Sequence, residues 1–238
     1  MLLRHVLKLI FRFLLLAVAL IFYFTDREML YFPTILQQGV SGAFLWVVWI
    51  ALAVDMLFRI IPNKRVAIGA RKHFACSYTA PASADAGKKD LTSKPGQLHK
   101  GAFLSALAWL AVSAAIIAAL FFLGMLTPAS VLNFVLFYSA LDLVFILVFC
   151  PLRALFMKNQ CCVVCRIYNW DYFMMCAPLI LFPGFYSISL VLLSVVVLLQ
   201  WEIALRKNPR FFMRETNENL RCEQCKEKVR LVRCRRGE

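Results

Sequence analysis

The stretch Phe173 to Trp201, FMMCAPLILFPGFYSISLVLLSVVVLLQW, decides the fold. A hydrocarbon core of about 30 Å takes about 20 helical residues, so this run is too long for one comfortable crossing. Pro183-Gly184 interrupts it. Proline removes a backbone donor and glycine permits a turn, and the pair divides the run into two helical pieces. The spacing predicts a short helix over Ile167 to Phe182 and a longer one over Tyr186 to Leu205.

Four further runs meet the length test: Leu7 to Phe24, Ala43 to Ile61, Ala102 to Leu126 and Val131 to Phe156. None alternates with a period of two, which excludes a barrel of strands. The first begins with Arg4, Lys8 and Arg12 like a signal peptide, but no small-residue cleavage site follows Phe24, so it reads as a retained anchor. The composition agrees, at 62% apolar with a mean hydropathy of +0.73 over 238 residues. Ordinary soluble domains hold roughly 45 to 50%.

Charge decides whether the last region crosses once or turns back. The 27 Lys and Arg outnumber the 13 Asp and Glu and flank the apolar runs. A single crossing would put the eleven basic residues from Arg206 onward opposite the other basic segments; a hairpin returns them, leaving Arg27 alone on the far side. The positive-inside rule favours the hairpin. The expectation is an all-α, polytopic membrane bundle with six membrane-embedded helices, the fifth short or re-entrant, and both termini cytoplasmic. The basic excess is assigned to orientation and to anionic lipid headgroups rather than to nucleic acid. Short loops and compact size point to a bacterial inner membrane.

The chain divides by composition into a first helix pair (1–74), a loop (75–100), a second helix pair (101–158), a Cys-rich loop with the membrane hairpin (159–206) and a basic tail (207–238). The stretch Thr79 to Lys100 is rich in Ala, Ser, Gly, Lys and Pro, which predicts a mobile connection. Asp55, Pro62 and Cys76 recur in outline as Asp142, Pro151 and Cys161. A degenerate duplication of a two-helix unit competes with coincidence as the explanation.

The nine cysteines are placed unevenly. Cys162-Val-Val-Cys165 and Cys222-Glu-Gln-Cys225 have the C-x-x-C spacing that lets two sulfurs grip one ion, and together they make a four-thiolate set. Under a hairpin topology all four face the cytosol, whose reducing chemistry disfavours structural disulfides. The hairpin also returns the tail to the level of Arg166, so the 56 intervening residues need not separate the pairs. Zinc is the expected ion, with Cys161, Cys234 and Cys76 as possible further ligands; an iron–sulfur cluster and dithiol redox chemistry are the alternatives. Arg166, Arg221, Lys226, Lys228 and Arg230 would stabilise thiolates. Packing is the plain competitor for every cysteine, and Cys150 and Cys176 are expected to pack within helices.

Charged groups inside apolar runs are functional candidates by default. Asp55 has Arg59 four residues on, so a local ion pair is expected. Asp142 lacks a basic neighbour on its own helix face, and Arg12 is the candidate partner across helices. Glu202 is expected to pair with Arg206, Asp171 to cap the fifth helix, and Phe211 and Phe212 to anchor the tail at the interface. His5, His73 and His99 are scattered. No phosphate loop, dinucleotide fingerprint, zinc-protease or hydrolase motif is present, which gives an enzyme no visible machinery. Three roles remain: a structural or partner-recognition site built on the cysteines and engaging a cytoplasmic protein, transport of a metal ion or small solute, and electron transfer.

Overall fold

In the computed structural model, residues 2–25, 40–63, 66–81, 94–157 and 162–221 are described. Among them the chain is all helical: α1 Leu2–Thr25, α2 Val40–Ile60, α3 Ile68–Arg71, α4 Lys94–Phe122, α5 Pro128–Leu147, α6 Asp171–Cys176 and α7 Phe185–Lys207, with short 3-10 turns between them. Among the described residues five helices (α1, α2, α4, α5, α7) are long and apolar enough to cross a membrane.

The limits of these helices follow from local chemistry. Gly124 adopts a left-handed conformation at φ 65°. It ends α4 with the Met125 N–H on the Leu120 carbonyl and its own N–H on Phe121, so the third span stops at Phe122 rather than Leu126. At its other end α4 starts at Lys94, inside the stretch expected to be mobile, with Pro95 tolerated in the first turn. Residues 82–93 of that stretch lie outside the described part. Thr127 and Ser130 form a reciprocal capping box ahead of α5, with Pro128 at its first position. The fourth span was expected to reach Phe156 and instead ends at Leu147. Pro151 lacks an N–H and turns the residue before it away from helix, and Arg153–Met157 continues only as one wide turn.

The expected fifth helix is shorter than predicted. α6 covers Asp171–Cys176 and tightens into 3-10 geometry over Ala177–Leu181, where Pro178 cannot donate back to the preceding turn. Asp171–Leu181 is too short to cross a core of about 30 Å. After Pro183-Gly184 the chain reverses into α7.

Bonds between helices fix their directions. Trp49 donates to Ser189 at 2.8 Å and Gln200 to the Ile60 carbonyl at 3.1 Å, so α2 and α7 run parallel and in step. The Trp201 indole donates to the Arg166 carbonyl at 2.7 Å, bringing the end of α7 back beside the segment before α6. α1 runs antiparallel to α2, with Phe22 against Phe44 at one end and Arg12 against Asp55 toward the other. The core is apolar and continuous, with Met56, Val135, Leu136, Cys176 and Leu179 among its fully covered members.

The polar segments 61–81, 162–170 and 208–221 consequently gather at one end, here called the basic end. There they form a cap. Asn169 donates to the Ala70 carbonyl at 2.9 Å, Glu218 N–H to the Thr79 carbonyl at 2.9 Å, and Asn219 to the Ser77 carbonyl at 3.1 Å. Phe212 is buried edge-on against Trp201, at 4.8 Å between ring centres, and Phe211 packs on Tyr78. Both rings are therefore part of the cap, Phe212 buried in it and Phe211 half-buried against Tyr78.

Candidate functional site

Arg12 sits at the centre of a charge network just below the cap. Its guanidinium donates to the Ser139 carbonyl at 2.6 Å, to Asp55 at 3.0 Å and to the Tyr172 hydroxyl at 3.4 Å, and lies 3.9 Å from Asp142. The expected partnership of Asp142 with Arg12 is thus present. It is shared, since Asp55 meets both Arg12 and Lys8. Lys8 and Arg12 stand four residues apart on one face of α1, which aims both cations at the same carboxylate.

The expected pair of Asp55 with Arg59 does not form. Arg59 turns instead toward α6, meeting Asp171 at 2.9 Å and Asn169 at 2.7 Å, with its guanidinium 4.3 Å above the Tyr172 ring. The reason is competition: Asp55 is already saturated by two cations of α1, and Asp171 offers Arg59 a bidentate carboxylate. Asp171 also accepts the Tyr172 N–H at 2.9 Å, so it caps the start of α6 while holding Arg59. Glu202 likewise leaves its local partner: it pairs with Arg166 at 3.0 Å and accepts the Trp170 indole at 2.8 Å, which ties α7 to the chain ahead of α6.

Two cavities flank the network. The larger, about 650 Å³, is bounded by α1, α2, α5 and the segment after α2, with Lys8, Arg12, Asp55 and Arg59 on its walls. The smaller, about 70 Å³, has Asp142, Cys150, Cys165 and Asp171 on its walls. Asp55 and Asp142, at corresponding places in the outline repeat, thus both reach Arg12, one at Nη2 and the other at Nη1.

Above the network Lys72 is fully buried, a placement absent from the sequence reading. Its ammonium donates to the Val163 carbonyl at 2.8 Å and the Cys165 carbonyl at 2.9 Å, and lies over the rings of Trp201 and Phe212. Gly69 permits this close approach, because a Cβ there would stand 3.1 Å from the Val163 Cα. The neighbouring His73 is buried against Phe74 and Trp201, and burial pushes its imidazole down to about 4. His5 lies within α1 and His99 within α4.

Of the cysteines, Cys161, Cys222, Cys225 and Cys234 lie outside the described residues. Cys162 begins a 3-10 turn, Cys165 is buried beside Ala102 and Ile167, and Cys76 is exposed on a 3-10 turn of the cap. Cys176 packs within α6 as expected, whereas Cys150 falls just past the end of α5, half-buried. Among the described residues no group of three or more His, Cys, Asp or Glu side chains is placed to hold a metal ion.

Fold and site together give an all-α chain, among the described residues, with a folded polar cap over a buried ion network and five long apolar helices compatible with an integral membrane protein. No known protein family, curated protein or solved structure matches the chain.

Proposed function

We propose that the chain is an integral protein of a bacterial inner membrane with both termini cytoplasmic, and that Cys162, Cys165, Cys222 and Cys225 hold a zinc ion clasping the tail to the membrane domain. Its role is then structural or in recognition of a cytoplasmic partner. One observation carries this reading. The short helix α3 packs against both the turn Cys162–Val164 and the turn Glu218–Leu220, so the chain entering each cysteine pair converges on one support. Arg166 and Arg221 flank the pairs in sequence and favour thiolates there.

The test is elemental analysis and absorption spectroscopy of protein purified anaerobically in detergent, beside a variant with all four cysteines replaced by Ser. About one zinc per chain, lost in the variant, is the expected result. Iron with visible absorption would make an electron-transfer centre primary. No metal in either protein would remove the clasp.

A second reading, passage of a small solute or metal ion, draws on Asp55 and Asp142, each on the wall of a cavity with Arg12 between them. Intramembrane carboxylates facing cavities suit such pathways. Asp142→Asn separates the two: a transporter loses flux in proteoliposomes while keeping its unfolding midpoint, whereas a structural pair loses stability.

A further inference from the structure

The larger cavity brings charged side chains of α1 and α2 together with apolar ones of α2 and α5. Val54 and Phe58 of α2 are both on its wall, and both are exposed. At about 650 Å³ it has the size of a small-molecule site. Its wall carries both charged side chains and apolar ones, among them Leu143 and Ile146.

The charge on that wall is uneven. Lys8, Arg12 and Arg59 supply three cations, whereas Asp55 is the carboxylate there; Asp142 and Asp171 line the smaller cavity instead. Arg12 and Arg59 are held in place by carboxylates, a carbonyl and Asn169, which fix their positions on the wall while pairing with much of their charge. Lys8 has a side chain 43% exposed and is the one of the three whose ammonium can turn toward an incoming ligand. A phosphate monoester or diester matches such a site, since compact ammonium and rigid guanidinium groups both bind phosphate oxygens.

We infer that this recess binds the phosphate-bearing head of an anionic lipid, with an acyl chain leaving past Val54 and Phe58. The inference is independent of the zinc clasp, because no cysteine lines the recess.

The test uses the full chain in detergent and isothermal titration calorimetry with three probes: dioctanoyl phosphatidic acid, dioctanoyl phosphatidylcholine and glycerol 3-phosphate. Phosphatidic acid is expected to bind about tenfold or more tightly than either of the others, the margin of one charge-assisted contact or one buried short chain. Lys8→Gln should weaken it about tenfold, while Lys207→Gln, an exposed cation on the same end of the bundle, should leave it unchanged. Val54→Trp fills the recess without touching any charge and should abolish binding, which keeps the test decisive if Lys8→Gln fails to fold. Equal binding of glycerol 3-phosphate would assign the site to a soluble phosphate, and equal binding of phosphatidylcholine would remove the headgroup selectivity. Equal loss in Lys207→Gln, or full binding in Val54→Trp, would reduce the effect to diffuse surface charge. Each of these results overturns the inference.

Discussion

At the basic end one guanidinium, that of Arg12, joins α1 to α2, α5 and α6, whereas at the opposite end Trp46, Trp49, Phe185 and Tyr186 meet mainly through their ring faces and edges. The rings of Trp46 and Tyr186 stand 5.1 Å apart, and those of Trp49 and Phe185 are stacked at 6.0 Å. Trp49 adds one directional bond, to Ser189. Lipid tails are as apolar as these rings, so ring packing gains little over lipid contact, and polar groups acquire the larger say in which helices adjoin. The basic end therefore specifies the arrangement, and the opposite end fills it.

That contrast can be broken most directly at Arg12. Arg12→Leu leaves Asp142 and the Ser139 carbonyl without their cation or donor, and should cost about 3 to 5 kcal/mol in a detergent unfolding titration. Combining it with Asp142→Asn should recover part of the loss, because the stranded charge is then gone. A loss no larger than that of an apolar-end substitution would end the distinction.

Gly69→Ala tests the cap. The added methyl meets backbone at Val163 and the Tyr168 ring, and the strain should cost about 1 to 3 kcal/mol. The same change should loosen the Lys72 bonds to the Val163 and Cys165 carbonyls, read as faster amide exchange in 162–170.

A pH series sharpens the comparison, since His73 belongs to the cap. Its folded value lies near 4, below the ordinary 6.5, so the unfolded chain binds the extra proton between these limits. Its contribution to stability is full above about 6.5 and is lost as pH falls toward 4, at up to about 1.4 kcal/mol per pH unit. His73→Gln should flatten the unfolding midpoint against pH by that margin. Parallel curves for the two proteins would remove His73 from the account.

At the opposite end Trp49→Phe keeps the ring and deletes the donor to Ser189, with an expected cost of about 0.5 to 1.5 kcal/mol. The smallest effect is expected at Leu110, exposed on α4, where Leu110→Ala should stay within about 0.5 kcal/mol. α4 and α5 sharpen the point further: both are apolar enough to cross a membrane, yet α5 is far more buried within the bundle than α4. Hydropathy assigns both to the membrane and neither to a place in the bundle.

The residues themselves determined a great deal of this protein. Continuous apolar runs announced helices, Pro183-Gly184 announced the reversal before α7, and a carboxylate in mid-span at Asp142 announced a partner across helices, found at Arg12. These signals are local or follow from the cost of placing a charge in hydrocarbon. What only the tertiary structure decided is the pairing among competing neighbours. Asp55 could be served by Arg59 on its own helix or by α1, and Glu202 by Arg206 or by Arg166; in both cases a partner from another segment of the chain won. Helix spacing ranks partners on one face of one helix, but buried ions choose among every group that packing brings within reach. That set exists only once the helices have met.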